Sequence, residues 1–151
     1  DSREAFLDLL DQVPDELWEQ PGVSGEWSIK DILYILTMRE AELVKMLWQI
    51  DQGVSPVAVM QEGEAADALA AQWKIQGQTR SLDQVVNDFQ GVRKQTYRRL
   101  QPIHEKAFED TSYYPWLNNQ PLWQWVAAAS FEYETKQGQI IKKWLEGYKQ
   151  D

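Results

Sequence analysis

Apolar residues recur along this chain at steps of three and four, the spacing that lines side chains up on one face of an α-helix. The longest row is Ile29, Leu33, Leu36, Glu40, Leu43, Leu47 and Ile50, stepping 4,3,4,3,4,3. Leu82, Val86, Phe89, Arg93, Thr96, Leu100 and Ile103 repeat the same steps, and Leu122, Val126, Ala129, Tyr133, Lys136, Ile140 and Trp144 run 4,3,4,3,4,4. A shorter row, Phe6, Leu7, Leu10 and Val13, opens the chain. No stretch alternates strictly between apolar and polar as a half-buried strand does, and there is no internal repeat. The pattern predicts an all-α protein whose long helices pack as a bundle.

Start and stop residues divide the rows. Ser2 is placed to cap a first helix that Pro14 ends or kinks. A short turn holds Leu17 and Trp18, and Pro21-Gly22-Val23-Ser24-Gly25 is a loop. Ser28, with Asp31 three positions on, has the form of a capping box for a helix running to about Gln52, where Gly53 stops it. Residues 53–63 read as a loop, and Glu64 to Gln76 as an Ala-rich helix broken by Gly77. Ser81 caps a helix from Leu82 to Leu100, closed by Pro102. Residues 103–120 form a connection, and Pro121 sits in the first turn of a last helix running to about Tyr148. The 151 residues make one domain.

Three positions interrupt the rows. Glu40, Arg93 and Lys136 stand where the period asks for apolar side chains. A charge is buried only when it is paired. Two readings follow. Each charge sits at the rim of its row and snorkels to water, or the three contribute to a paired polar layer at the base of a pocket. Glu132, four residues before Lys136, can pair with it along the helix.

Composition narrows the chemistry. There is no cysteine and one histidine, His104, which removes disulfides, thiolate metal sites and any site needing two histidines. A formal charge of −9 opposes binding to phosphate backbones. The basic runs Arg93, Lys94, Arg98, Arg99 and Lys136, Lys142, Lys143 lack interleaved stacking aromatics, so they read as solvated helix faces and no nucleic-acid partner is expected. No apolar run reaches the length of a membrane span, and the opening Asp1-Ser2-Arg3-Glu4 is not a signal peptide, so the expectation is a cytoplasmic protein with no membrane partner. The first residue is not Met, which leaves an upstream segment open. His104 follows a helix end, with Glu105 and Asp110 as nearby acids for a general base, although a lone terminal histidine is more often structural. There is no Gly-x-Ser-x-Gly elbow and no Gly-rich phosphate loop. Glu62 and Glu64 read as solvated loop acids. The Tyr113-Tyr114-Pro115-Trp116 stretch reads as packing or as a lid over the bundle end. Of the eight tryptophans, Trp27 and Trp116 read as caps on the core. Trp48 and Trp123 fall outside the row centres, in a groove or a homodimer interface.

Residues 22–36, Gly-Val-Ser-Gly-Glu-Trp-Ser-Ile-Lys-Asp-Ile-Leu-Tyr-Ile-Leu, resemble the entry to the second helix of DinB/YfiT-like four-helix-bundle proteins. Phe131-Glu132-Tyr133-Glu134-Thr135-Lys136-Gln137-Gly138-Gln139-Ile140 is similar to that family's last-helix motif, which ends in a Gly-Gln-aliphatic step. Tyr114-Pro115-Trp116-Leu117 and Pro121-Leu122-Trp123-Gln124-Trp125 resemble the ClbS/DfsB-type branch. The resemblance spans residues 5 to 147. It implies a DinB-like four-helix bundle with an extra short helix at residues 64–76. Many members hold a divalent metal through three histidines, one on the second helix and two on the last. Carried over, these positions fall at Ile35, Glu132 and Lys136. An aliphatic cannot ligate, an ammonium repels a cation and one carboxylate makes a weak site, so neither metal nor other cofactor is expected.

The expected pocket is therefore formed by Ile35, Glu40, Arg93, Glu132 and Lys136, without metal. Three functions stay open. One is a metal-free small-molecule-binding or stress-response protein. Another is a metal-independent hydrolase or transferase of the ClbS-like type (that branch includes a hydrolase that opens a strained cyclopropane), using Glu40, Glu132 or Lys136 as acid and base. The last is a structural dimerisation module.

Overall fold

In the computed structural model, which describes residues 2–53, 64–110, 112–117 and 119–150, every regular element is helical apart from an isolated bridge between Ser24 and Trp27. The α-helices are α1 (Ser2–Asp11), α2 (Ile29–Asp51), α3 (Glu64–Gly77), α4 (Leu82–Leu100), α5 (Glu105–Glu109), α6 (Leu122–Ala129) and α7 (Phe131–Gln150). Among the described residues no helix is long and apolar enough to cross a membrane. The loop expected at residues 53–63, with Glu62, lies outside the described residues beyond Gly53.

The helix starts follow from local chemistry. Ser28 Oγ accepts from the Asp31 amide at 3.1 Å while Asp31 Oδ2 accepts from the Ser28 amide at 3.0 Å. Ser81 and Gln84 make the same reciprocal pair at the head of α4. Each box satisfies two amides that the first helical turn leaves without partners. Gly53, at φ +76°, takes the left-handed conformation that ends α2. The 103–120 connection holds more order than its sequence suggests: α5, capped by His104, and a 3₁₀ turn at Pro115–Leu117.

The last helix is interrupted. Ser130 lies at φ −119°, ψ −99°, outside helical space, and its amide donates to both Val126 and Ala127 carbonyls. Its hydroxyl donates to the Val126 carbonyl at 2.6 Å. This break separates α6 from α7 and rotates the inward face. The buried row of α7 is Glu134, Gly138, Ile141 and Leu145, one or two positions on from the expected Tyr133, Lys136, Ile140 and Trp144.

Packing falls into two apolar clusters. One holds Phe6 and Leu10 of α1 with Val13 just beyond it, the first half of α2 from Ile29 to Leu36, Trp73 of α3, Val85 and Phe89 of α4, and Ile141 and Leu145 of α7. The other joins Leu43, Met46 and Leu47 of α2 to Leu117, Leu122, Trp125, Val126 and Ala129, with Leu100 and Ile103 against it. The early halves of α2 and α4 share one cluster and their late halves the other, so these two helices run the same way. α6 and α7 traverse the clusters in the opposite sense, and α1 enters the first cluster alongside α7. Adjacent parallel helices need a return connection, and α3 is part of it. Its last residue, Gly77, lies against the Tyr34 ring, and Gln78 donates to Asp31 Oδ1 at 2.8 Å beside the start of α2. From Ser28 to Thr37 every residue is buried, so the first part of α2 is covered on all sides.

Candidate functional site

Between the two apolar clusters lies a layer of charge. Glu40 stands on α2 between Leu36 and Leu43, Arg93 on α4 after Phe89, Glu134 on α7 and Arg3 on α1. Their side chains form a chain of ion pairs. Arg93 Nε donates to Glu40 Oε1 at 2.8 Å, Arg93 Nη2 reaches Glu134 Oε1 at 3.5 Å, and Arg3 Nη2 meets the same Glu134 oxygen at 2.8 Å. Arg3 also lays its guanidinium over the Phe89 ring, 4.1 Å from the centroid. Glu40 is 3% exposed, Arg93 8% and Glu134 2%. Two cations face two anions, so the layer is neutral and each buried charge has an opposite neighbour.

The environment shifts these groups in opposite ways. Burial pushes the Glu40 carboxyl above its ordinary range, and Arg93 opposes this only in part. Burial disfavours the Arg93 cation too, but Glu40 and Glu134 outweigh it and hold the guanidinium more firmly protonated than usual. For Arg3 burial prevails over Glu134 and the shift is downward. The space enclosed by the layer is about 10 Å³, lined by the four charged residues with Leu36, Phe89, Val92, Ala129 and Ser130. That admits one water and no organic ligand.

The expected pocket residues therefore separate. Glu40 and Arg93 come together. Ile35 is buried in the first apolar cluster. Glu132 and Lys136 are exposed on the outer face of α7, because the break at Ser130 turns Glu134 inward in their place. This corrects their placement: they do not share a cavity with Glu40, and no acid–base set of Glu40, Glu132 and Lys136 converges. Nor do the carried-over metal positions fit a metal, since a buried isoleucine and two solvent-facing side chains, one cationic, offer no common coordination sphere. Among the described residues no group of three or more His, Asp or Glu is placed to hold one. Of the basic run at 93–99, Lys94 and Arg98 face solvent as expected and Arg93 does not.

Other candidates resolve into structure. His104 is exposed, and its Nδ1 accepts from the Lys106 amide at 3.2 Å as the cap of α5. Asp110 accepts from the Ser112 amide and hydroxyl, which holds its carboxyl below the usual range. The aromatic connection is packing: the Tyr114 ring lies tilted against Trp116 at 5.7 Å between centroids, and Trp116 meets Trp125 edge-on at 5.6 Å over the second cluster. Trp27 packs against the first cluster, while Trp48 and Trp123 are exposed.

A space large enough for a ligand lies elsewhere. An open groove of about 520 Å³ runs between α1 and α7. Phe6, Leu9, Gly138 and Leu145 contribute its apolar part, with polar side chains such as Gln12 and Lys142 along it. Gly138 allows the close approach: a Cβ there would stand 3.2 Å from the Phe6 ring. Nothing in the sequence rows flagged this groove, because it depends on α1 lying parallel to α7.

No protein-family model matches the chain, and no curated protein is similar to it in sequence. In three dimensions it is similar to the crystal structure of an uncharacterised protein from Escherichia coli UTI89, with a TM-score of 0.79 at 16% identity, over 98% of this chain and 88% of the other. At that identity the likeness carries the all-α fold alone.

Proposed function

We propose that this chain is a DinB-like four-helix bundle of α1, α2, α4 and α6–α7, with α3 added, and that it binds an elongated, largely apolar small molecule without a metal. The observation that supports this reading is the α1–α7 groove. Its volume of about 520 Å³ lies within the roughly 300–1,000 Å³ of ordinary ligand sites. Its extent from Thr135 to Glu146 corresponds to about 16 Å of helix. The charged layer takes the interior position, so the ligand sits on the flank and not in the core.

Ala5 lines the groove and is exposed, so a larger side chain there fills the site at little cost to the core. The expected result is saturable binding of one 1-anilinonaphthalene-8-sulfonate per chain, displaced by medium-length alkyl compounds and lost in Ala5→Trp at unchanged melting temperature. Non-saturating binding, or binding that Ala5→Trp leaves intact, removes the reading.

A further inference from the structure

The charged layer has two oxygens that its ion pairs do not use. Glu40 Oε2 and Glu134 Oε2 are both shielded from solvent, and neither has a hydrogen-bond partner among the described residues. Both carboxylates line the same cavity of about 10 Å³. A buried carboxylate oxygen without a donor costs free energy, and native interiors rarely leave one so.

Beyond the guanidinium groups of Arg3 and Arg93, neither of which hydrogen-bonds an Oε2 atom, the lining supplies no donor. Leu36, Phe89, Val92 and Ala129 are apolar, and the Ser130 hydroxyl is committed to the Val126 carbonyl at 2.6 Å. The occupant must then donate twice, to two acceptors, with a single heavy atom, since the volume is that of about one water. It must also be neutral. The layer already balances two guanidinium groups against two carboxylates, and an added cation would sit uncompensated beside Arg93. A proton shared between the carboxylates would leave the same excess positive charge.

We propose that this cavity is a built site for one water molecule, which donates to Glu40 Oε2 and to Glu134 Oε2. With Arg93 already bridging the Oε1 atoms of both acids, the water closes a four-membered hydrogen-bonded ring. The ring ties α2, α4 and α7 together at one level, and Arg3 joins α1 to it. This site is independent of the groove: ligand binding can fail there while the water remains.

The test combines a high-resolution crystal structure, grown in rubidium chloride, with water-to-protein magnetisation transfer in solution. The expected result is one spherical density about 2.7–3.0 Å from both Oε2 atoms, no anomalous rubidium signal, and long-lived water cross-relaxation to the Ala129 methyl. Val92→Ile adds a methylene to the cavity wall and is expected to abolish that cross-relaxation while the Arg93–Glu40 pair persists. A rubidium peak at the site overturns the proposal in favour of a cation site. A direct Oε2-to-Oε2 hydrogen bond with no density overturns it in favour of a shared proton. Cross-relaxation that survives Val92→Ile overturns it by placing the water elsewhere, and a dry cavity without either signal does so outright.

Discussion

Glu132 and Glu134 are two residues apart and differ in almost every physical respect. The first is hydrated; the second is 2% exposed and shared by two guanidinium groups. Removing one member of a buried, hydrogen-bonded ion pair leaves the other charge uncompensated, a loss of about 3–5 kcal/mol. Glu40→Ala and Glu134→Ala are each expected to lose that much in urea unfolding, while Glu132→Ala and Lys136→Ala stay within about 0.5 kcal/mol of the parent. The reverse ranking would place the wrong face of α7 inward. Glu40 adds a pH signature. Its folded pKa is raised above the ordinary 4.5, so the native state holds the proton more tightly than the unfolded chain. The stability linked to this group is fully present below the unfolded value and is lost as pH rises through the higher folded one. Glu40→Gln does not titrate. Unfolding curves from acid to neutral pH are expected to show the parent losing ground relative to Glu40→Gln, and parallel pH profiles would contradict the raised value.

At the scale of elements, the caps and the rows of α2 and α4 could be read from the sequence because their causes are local. Ser28 with Asp31 and Ser81 with Gln84 act within one turn, and a 23-residue helix keeps its phase. The phase of α7 could not be read. Periodicity assumes an unbroken helix, and a single residue, Ser130, resets it by leaving helical dihedrals. For that reason Glu40 and Arg93 stood out as interruptions while Glu134 did not. Arg3 was hidden for another reason: it lies near the start of a short helix, and its partner is on the last one. α5 is five residues long and capped by a histidine, too short and too unusual to signal itself. Close packing between elements gives a further expectation. A Cβ at Gly77 would stand 2.9 Å from Cδ1 of Tyr34, a buried ring held in the first cluster. Gly77→Ala is expected to lose about 1–3 kcal/mol by overpacking, whereas Ser28→Ala loses about 1 kcal/mol as a missing cap. Thermal melts of both variants, with Gly91→Ala as an open-space control, check the order.

At the scale of the molecule, a neutral charged layer divides the apolar interior in two. Such layers are weak sources of stability, since desolvation offsets much of the Coulomb gain. Their effect on register is larger, because four side chains on four helices must meet at one height. Replacing Arg3 and Arg93 with Met and Glu40 and Glu134 with Leu together is expected to leave the protein as stable or to raise stability by about 1–4 kcal/mol. The same variant is expected to show more than one set of amide resonances, as the helices gain freedom to slide. A single sharp set would mean that apolar packing alone fixes the register.

The pairing of α1 with α7 also sets an order in time. Phe6 rests on Phe89 and against Gly138, and Arg3 reaches Glu134, so α1 finds its seat only when α7, far downstream, has been made. Neither parallel pair can form as a simple hairpin, and the contacts that complete the core close loops spanning most of the chain. Folding therefore waits for α7 to be synthesised and is slower than the helical content suggests, and the segment carrying Phe6, Leu10 and Val13 stays without its α7 partners until then.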